Sequence, residues 1–368
     1  MIKKFGSFIN EDLVTTENYL LYYAFDWDDN ILNMPTVIHL EKKEGDSWTP
    51  VDVSTSEFAI VRNDKDNYRM LNNSPEHAFS DFRDNGPAGP EIFIEDTKKA
   101  ISAGKLGPAW NDFVECLSNG ALFAIITARG HESESMRKGV EWIIDNVLTE
   151  EQLFSMYNHL VKFSYLFGTL DEDFPRILKG RPSNNELISS YLNSCHFVGV
   201  SAPSRGGSPS NPEKAKEDAL MLFIDEMDQH VIELERLTNQ KWSAMIGFSD
   251  DDLKNVKHIE DLIDNLHNER FENIYKIVVK GTKDPEQITK KSRIFEPDSS
   301  LTETSHQTPG LESSVLKFTQ FGNMTAHLNP VGPDQRQDDG ANAFRRATKY
   351  LAQTSKDVVK KKKSKKRD

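Results

Sequence analysis

Residues 20–31, LLYYAFDWDDNI, constrain this chain more than any other stretch. Apolar and aromatic residues run without a break to Phe25 and stop at Asp26-Trp27-Asp28-Asp29-Asn30. A strand buried in a parallel sheet reads this way where it ends at a crevice. Side-chain direction in a strand repeats every two residues, so the spacing predicts that Asp26 and Asp28 face one site. Two carboxylates held together require a cation or a shared proton, and for hard oxygen ligands the matching cation is magnesium. A turn or helix-cap cluster is the competing reading, because Asp and Asn gather wherever strands end. A calcium loop of the EF-hand type is excluded: it needs Gly at its sixth position and Glu at its twelfth, where this chain has Ile31 and Val37.

Two more segments share the pattern. Residues 121–126, ALFAII, end at Thr127, and residues 245–252, MIGFSDDD, end in an acidic burst. Three strand-like runs with polar ends predict one open α/β sheet whose strand ends share a site. Between them a helix is predicted over 212–237, with Asn211 as N-cap and Pro212 in its first turn. Lys214 and Lys216 lie near its start, where solvated surface lysines are the alternative reading.

Taken in order over residues 20–281, these motifs resemble the haloacid dehalogenase superfamily of phosphotransferases. Asp26 to Asn30 match its D-x-D-x-T/V motif, with Asn30 in place of the usual last residue. Thr127 matches the strand ending in Thr or Ser, and Lys216, in K-x-x-A-L, matches the lysine that opens a helix, with Lys214 as the alternative. Asp250 and Asp251 match the acidic strand end. The resemblance implies a Rossmann-like, doubly wound, mostly parallel α/β sheet carrying inserted cap elements. It further implies Asp26 as nucleophile, Asp28 as general acid and then base, Thr127 donating to phosphoryl oxygens, and Lys216 countering charge in the transition state. Magnesium would be held by Asp26, Asp28 (through its backbone carbonyl), Asp250 and Asp251. Asn30 and Arg129 are expected on the substrate side; Arg129 lies off the motif and pairs either with a substrate phosphate or carboxylate or in a surface ion pair. The expected activity is magnesium-dependent hydrolysis of a phosphoester, on a small molecule or a nucleic-acid end. A non-catalytic scaffold and a phosphotransferase stay open as alternatives.

The rest of the chain bounds this reading. Of 368 residues, 37% are hydrophobic, enough for a real core. Two cysteines, Cys116 and Cys195, predict buried reduced thiols, and no apolar stretch approaches the ~20 residues that span a bilayer. The N-terminus lacks a signal-peptide apolar region, so a soluble, cytoplasmic protein without membrane contact is expected. Residues 356–368 hold eight Lys or Arg against two Asp, so the net charge of −13 becomes −19 without them. That acidic body argues against general nucleic-acid binding, while the basic tail is a solubilising segment, a polyanion contact or a localisation signal.

Residues 1–19 read as a lead-in. Two cap-type insertions are expected, at 32–107 and 131–210. The first contains a hairpin or small sheet over TVIHLEKK and WTPVDVSTSEFAIVR and then a Gly/Pro-broken loop. Helices are predicted over 110–117, twice within 132–167 (the second opening at Thr149 with Gln152 in a capping box), and over 253–267. Strands are predicted at 196–200 and 273–279. Residues 282–368 are polar and aperiodic, which predicts disorder apart from a short helix near 341–352.

Overall fold

The computed structural model describes residues 18–167, 184–207, 209, 211–239, 241–266, 273–283 and 289–294. All of them belong to the first of two units into which the chain divides, Met1–Thr308. The first strand, β1 (Asn18–Phe25), is buried continuously from Tyr22 to Phe25. The chain then leaves the sheet for a small cap. Strands β2 (Ile38–Glu44) and β3 (Ser47–Val53) pair antiparallel across a tight turn in which Gly45 takes φ 64°, a left-handed conformation that costs glycine nothing. Helix α1 (Thr55–Val61) follows, then β4 (Tyr68–Met70), which pairs with the other side of β2, and the short α2 (Pro75–Ala78). Ile38, Leu40, Val53, Ala78 and Phe82 form the cap's own core, with Phe58 and Val61 of α1 packed against it.

The segment TSEFAIV, expected within the hairpin region, is therefore helical. Ser54 and Glu57 start it with a reciprocal capping box: Glu57 N–H donates to Ser54 Oγ at 3.2 Å, and Ser54 N–H donates to Glu57 Oε2 at 2.8 Å. Phe58 and Val61, three apart, then share the face that meets the cap core.

Helices α3 (Ile92–Ser102) and α4 (Trp110–Ser118) bring the chain back to the sheet as β5 (Phe123–Thr127). Next come α5 (Ser133–Asn146), α6 (Glu150–Phe167), α7 (Asn184–Asn193) and β6 (His196–Gly199). The long α8 (Pro212–Thr238) leads to β7 (Trp242–Asp250), α9 (Leu253–Asn265), β8 (Ile274–Gly281) and β9 (Thr289–Ile294). The main sheet has the order β6-β5-β1-β7-β8-β9, with five parallel strands and an antiparallel β9 at one edge. Every residue of β5 is buried, as the uninterrupted apolar run requires of a strand covered on both faces. One set of helices packs together as α3 on α5, α4 on α6 and α6 on α7; the other, α8 and α9, lies on β5, β7 and β8.

This order positions the site. From β1 the chain steps outward to β5 and β6, then returns through α8 to lay β7 on the opposite side of β1. The strand order reverses between β1 and β7, and an open parallel sheet leaves its crevice at the carboxyl ends of such a pair.

Three expectations about organisation change. The first insertion is smaller than 32–107, because α3 belongs to the body: Phe93 is fully buried, its ring 5.1 Å from that of Trp27, and a Cβ on Gly139 of α5 would lie only 2.6 Å from it. The described residues of 131–210 build the body rather than a second cap, since α5, α7 and β6 extend it and β6 pairs with β5. Within 282–368, TKKSRI forms β9 against the whole of Lys276–Gly281. An edge strand pairs through its backbone and needs no apolar alternation, so its composition hid it. The lead-in to residue 17, the expected helix near 341–352 and the basic tail lie outside the described residues. Cys116 and Cys195 are buried and unbridged, and burial pushes both thiols above their ordinary range. Among the described residues no helix is long and apolar enough to cross a membrane.

Candidate active site

Strands β1 and β7 run parallel with Phe25 opposite Ser249, so the residues that follow, Asp26 and Asp250, stand side by side. Asp26 N–H donates to the Ser249 carbonyl at 2.9 Å, which extends the pairing to Asp26 itself. Carboxylate oxygens of Asp26, Asp250 and Asp251 all lie within 4.8 Å of one another. Lys216, near the start of α8, reaches in between: its Nζ donates to Asp250 Oδ2 at 2.8 Å and lies 3.0 Å from Asp26 Oδ1, an ion pair without hydrogen-bond alignment. Lys214 instead pairs at the surface with Glu217 and Asp218, so Lys216 is the lysine of the site. Asp250 is further secured by Asp252 N–H at 2.8 Å and by Asn255 Nδ2 at 3.0 and 3.1 Å. Asp252 meanwhile caps α9, its side chain accepting from Lys254 N–H.

The cluster is short of positive charge. Burial raises the Asp26 carboxyl well above the usual range; Asp250, Asp251 and Asp28 add to the rise and Lys216 opposes it. Asp251 is pushed up to about 7 by burial, with Asp250 and Asp29 contributing. Burial alone would lower Lys216, but Asp250 and Asp26 outweigh it and hold the ammonium charged. Among the described residues three carboxylates therefore share one ammonium, and the buried Asp26 Oδ1 accepts no aligned hydrogen bond. An all-oxygen donor set with excess negative charge fits a hard divalent cation.

Asp28 departs from its expected place. Strand β1 stops at Phe25, Asp29 takes φ 54°, and the N–H groups of Ile31 and Leu32 turn back to the Trp27 carbonyl. The two-residue period holds only while the chain stays extended, so the Asp28 carboxylate is not one of the clustered three. It is turned to Arg129, which donates from Nε to Asp28 Oδ2 at 2.8 Å and from Nη2 to Asp28 Oδ1 at 2.7 Å. Thr127, fully buried at the end of β5, donates to Asp28 Oδ2 over a long 3.4 Å and accepts from Arg129 N–H. The carboxylates close enough to share a cation are thus those of Asp26, Asp250 and Asp251; the part expected of Asp28 is through its backbone carbonyl.

Neither residue expected on the substrate side is open to a substrate. Asn30 is fully buried; its Nδ2 donates to the Asp26 carbonyl and to Ser249, and its Oδ1 accepts from Thr282. It ties together the ends of β1, β7 and β8. A Cβ at Gly107 would lie 2.3 Å from the Asn30 carbonyl oxygen, so only glycine lets the chain cross there. Arg129 is also buried, not in a surface ion pair, because its loop is pressed against β6: a Cβ at Gly199 would sit 2.4 Å from the His131 carbonyl oxygen.

Sequence reasoning misses Ser249 and Thr282 as Asn30 partners, Thr36, which accepts from Arg129 Nη2 at 2.9 Å, and Thr55, whose hydroxyl donates to Asp29 at 2.7 Å. Thr36, Thr55 and Thr282 are lone hydroxyls, and Ser249 lies in the MIGFSDDD run but at none of its acidic positions, although the Asp29-Asn30 pair marked the loop that they hold. No protein-family model, curated protein or solved structure matches the chain, so its function has to be argued from this geometry.

Proposed function

We propose that the chain is a phosphohydrolase of the haloacid dehalogenase type, acting on a phosphoester through an aspartyl-phosphate. The observation that carries this reading is the grouping of Asp26, Asp250 and Asp251 around buried Lys216 at the point where the strand order reverses. A fold gains nothing from gathering repelling carboxylates in a crevice, whereas phosphoryl transfer needs a nucleophile and fixed positive charge in one place.

In the first half-reaction an Asp26 oxygen attacks phosphorus. The new O–P bond forms as the bond to the leaving oxygen breaks, and that oxygen takes a proton from Asp28. In the second, Asp28 takes a proton from water as the water oxygen attacks phosphorus; the Asp26–phosphorus bond breaks and inorganic phosphate leaves. Arg129 keeps the Asp28 carboxyl group in place, and Asp28 Oδ1, which accepts from Arg129 Nη2, retains a second lone pair to carry the proton. The Thr127 hydroxyl, only loosely engaged by Asp28, is free to turn to a phosphoryl oxygen. Lys216 offsets the charge that builds on the transferred group. A divalent cation, magnesium by its match to three carboxylates, would be held by Asp26, Asp250 and Asp251 and would screen the repulsion between nucleophile and substrate.

The test is phosphate release from a panel of small phosphoesters and 3′- or 5′-phosphorylated oligonucleotides, in magnesium or EDTA, by the wild type and D26N. Turnover that needs magnesium and disappears in D26N is expected. No turnover on any substrate, together with no magnesium binding, would overturn the reading in favour of a scaffold.

A further inference from the structure

We propose that Arg129 is the positioning residue through which the cap sets the place and plane of the Asp28 carboxylate. Its guanidinium is 2% exposed and is gripped from two directions. Towards the site, Nε and Nη2 make the two-pronged contact with Asp28. A planar fork of this kind fixes both the position and the orientation of a carboxylate. Away from the site, Cζ lies 4.5 Å from the ring centre of Phe82, a member of the cap core, and 5.7 Å from that of Phe93 on α3. Nη2 also donates to Thr36, in the segment that leads into the cap, and Thr36 in turn donates to Asp96 of α3 at 2.7 Å. The remaining nitrogen, Nη1, is buried with no hydrogen-bond partner among the described residues, so Phe82, Phe93 and Thr36 decide how the fork is presented.

The backbone repeats the link. Gly130 N–H donates to the Phe82 carbonyl at 2.9 Å, and Arg83 forms a bridge with Gly130. Phe82 therefore touches both the guanidinium and the chain beside it. A shift of the cap core moves Phe82, and through Arg129 it moves the carboxylate. That Asp28 acts on substrate rests on the function proposed above; the mechanical link does not.

The test uses the full chain and reads the Arg129 Nε–H signal in proton–nitrogen spectra, identified by its loss in R129K. In the wild type this proton exchanges slowly. F82L and T36V are expected to speed its exchange at least ~10-fold while the amides of the main sheet stay unchanged. On the best phosphoester, F82L is expected to lower kcat by ~10- to 100-fold with KM within about twofold, the size of effect that a small misplacement of a reacting group produces. F82L added to R129K is expected to cost little more than R129K alone, because the link is already cut. An unchanged Nε–H exchange rate in both F82L and T36V would overturn the proposal, as would losses in kcat that simply multiply in the double variant. If R129K fails to fold, the exchange rates in F82L and T36V, with the signal assigned by through-bond spectra, decide it. If the wild type releases no phosphate, the proposed function falls, and the exchange rates still decide the link.

Discussion

The crevice of the main sheet and the cap above residue 38 both hold opposite charges together, but in different solvents. In the crevice, Asp26, Asp250 and Lys216 are at most 5% exposed, and each depends on the others. In the cap, Arg69 pairs with Glu41 at 2.6 Å and lies over the Trp48 ring with a third of its side chain in water. Water screens the second arrangement and not the first. The charges of the crevice thus hold one another in place, whereas the Arg69–Glu41 pair of the cap can be lost at little cost.

The largest expected effect tests that contrast directly. K216A leaves Asp26 and Asp250 buried without a counter-charge, and urea melts at pH 8 in EDTA should show a loss of ~3–5 kcal/mol, the range for breaking a buried pair from one side. R69A in the cap should cost ~1 kcal/mol or less by the same measurement. A K216A loss as small as that of R69A would break the comparison.

Metal and pH sharpen it next. Asp251 and Asp26 are raised in the folded protein, Asp251 to about 7, so between the unfolded carboxylate range and pH 7 the folded state holds more protons. Stability in EDTA should accordingly fall as pH rises from 5 to 8. Magnesium binds the ionised carboxylates and should remove that fall, read as melting temperature against pH with and without the ion. The cap has no buried carboxylate cluster of this kind among its described residues and should contribute nothing to the part of the fall that magnesium removes.

Two histidines carry the contrast to opposite signs of pH dependence. His131, beside the crevice, is lowered to about 2 by burial and then by Arg129, so the unfolded chain takes up its proton first. Its contribution to stability is lost as pH falls below about 6.5, by up to ~1.4 kcal/mol per pH unit. In the cap, burial would lower His39, but its hydrogen bonds to Asp52 and Asp81, at 2.7 and 3.0 Å, outweigh burial and raise it. That contribution is complete below the unfolded value and is lost as pH rises through the raised one. Stability differences between wild type and H131F, and between wild type and H39N, should therefore slope in opposite directions with pH.

How much of this was legible follows from what each residue depends on. The strands that carry the site were readable because burial on both faces leaves long apolar runs, and the acidic ends of β1 and β7 pointed to a common crevice before any pairing was known. The start of α8 was readable from Asn211 and Pro212, and with it the position of Lys216. The turn of the Asp28 carboxylate to Arg129 was not, because a short-range pattern cannot say where a strand stops being extended. The Asn30 clamp and the burial of Arg129 were hidden for another reason: their partners, Thr282, Ser249, Thr36 and Phe82, stand dozens to hundreds of residues away. Helix α1 was missed because β-rich surroundings outweighed a four-residue capping box.

The smallest expected effect belongs to the weakest tie between cap and crevice. Helix α1 touches the site loops at both ends: Thr55 donates to Asp29 at 2.7 Å, while Arg62 lies 3.6 Å from Asp252, with about a third of each of these charged side chains exposed. The first is a short bond to a half-buried carboxylate; the second is a screened ion pair beside residues whose charges are not screened. If solvent exposure rather than distance from the cluster decides what a charge is worth, R62A should change stability by less than ~0.5 kcal/mol, and that small change should vanish at raised salt. A loss above ~1.5 kcal/mol that persists in high salt would mean that Arg62 feels the buried carboxylates beyond Asp252, and the boundary between the two regions would then have to be drawn on the cap side of α1.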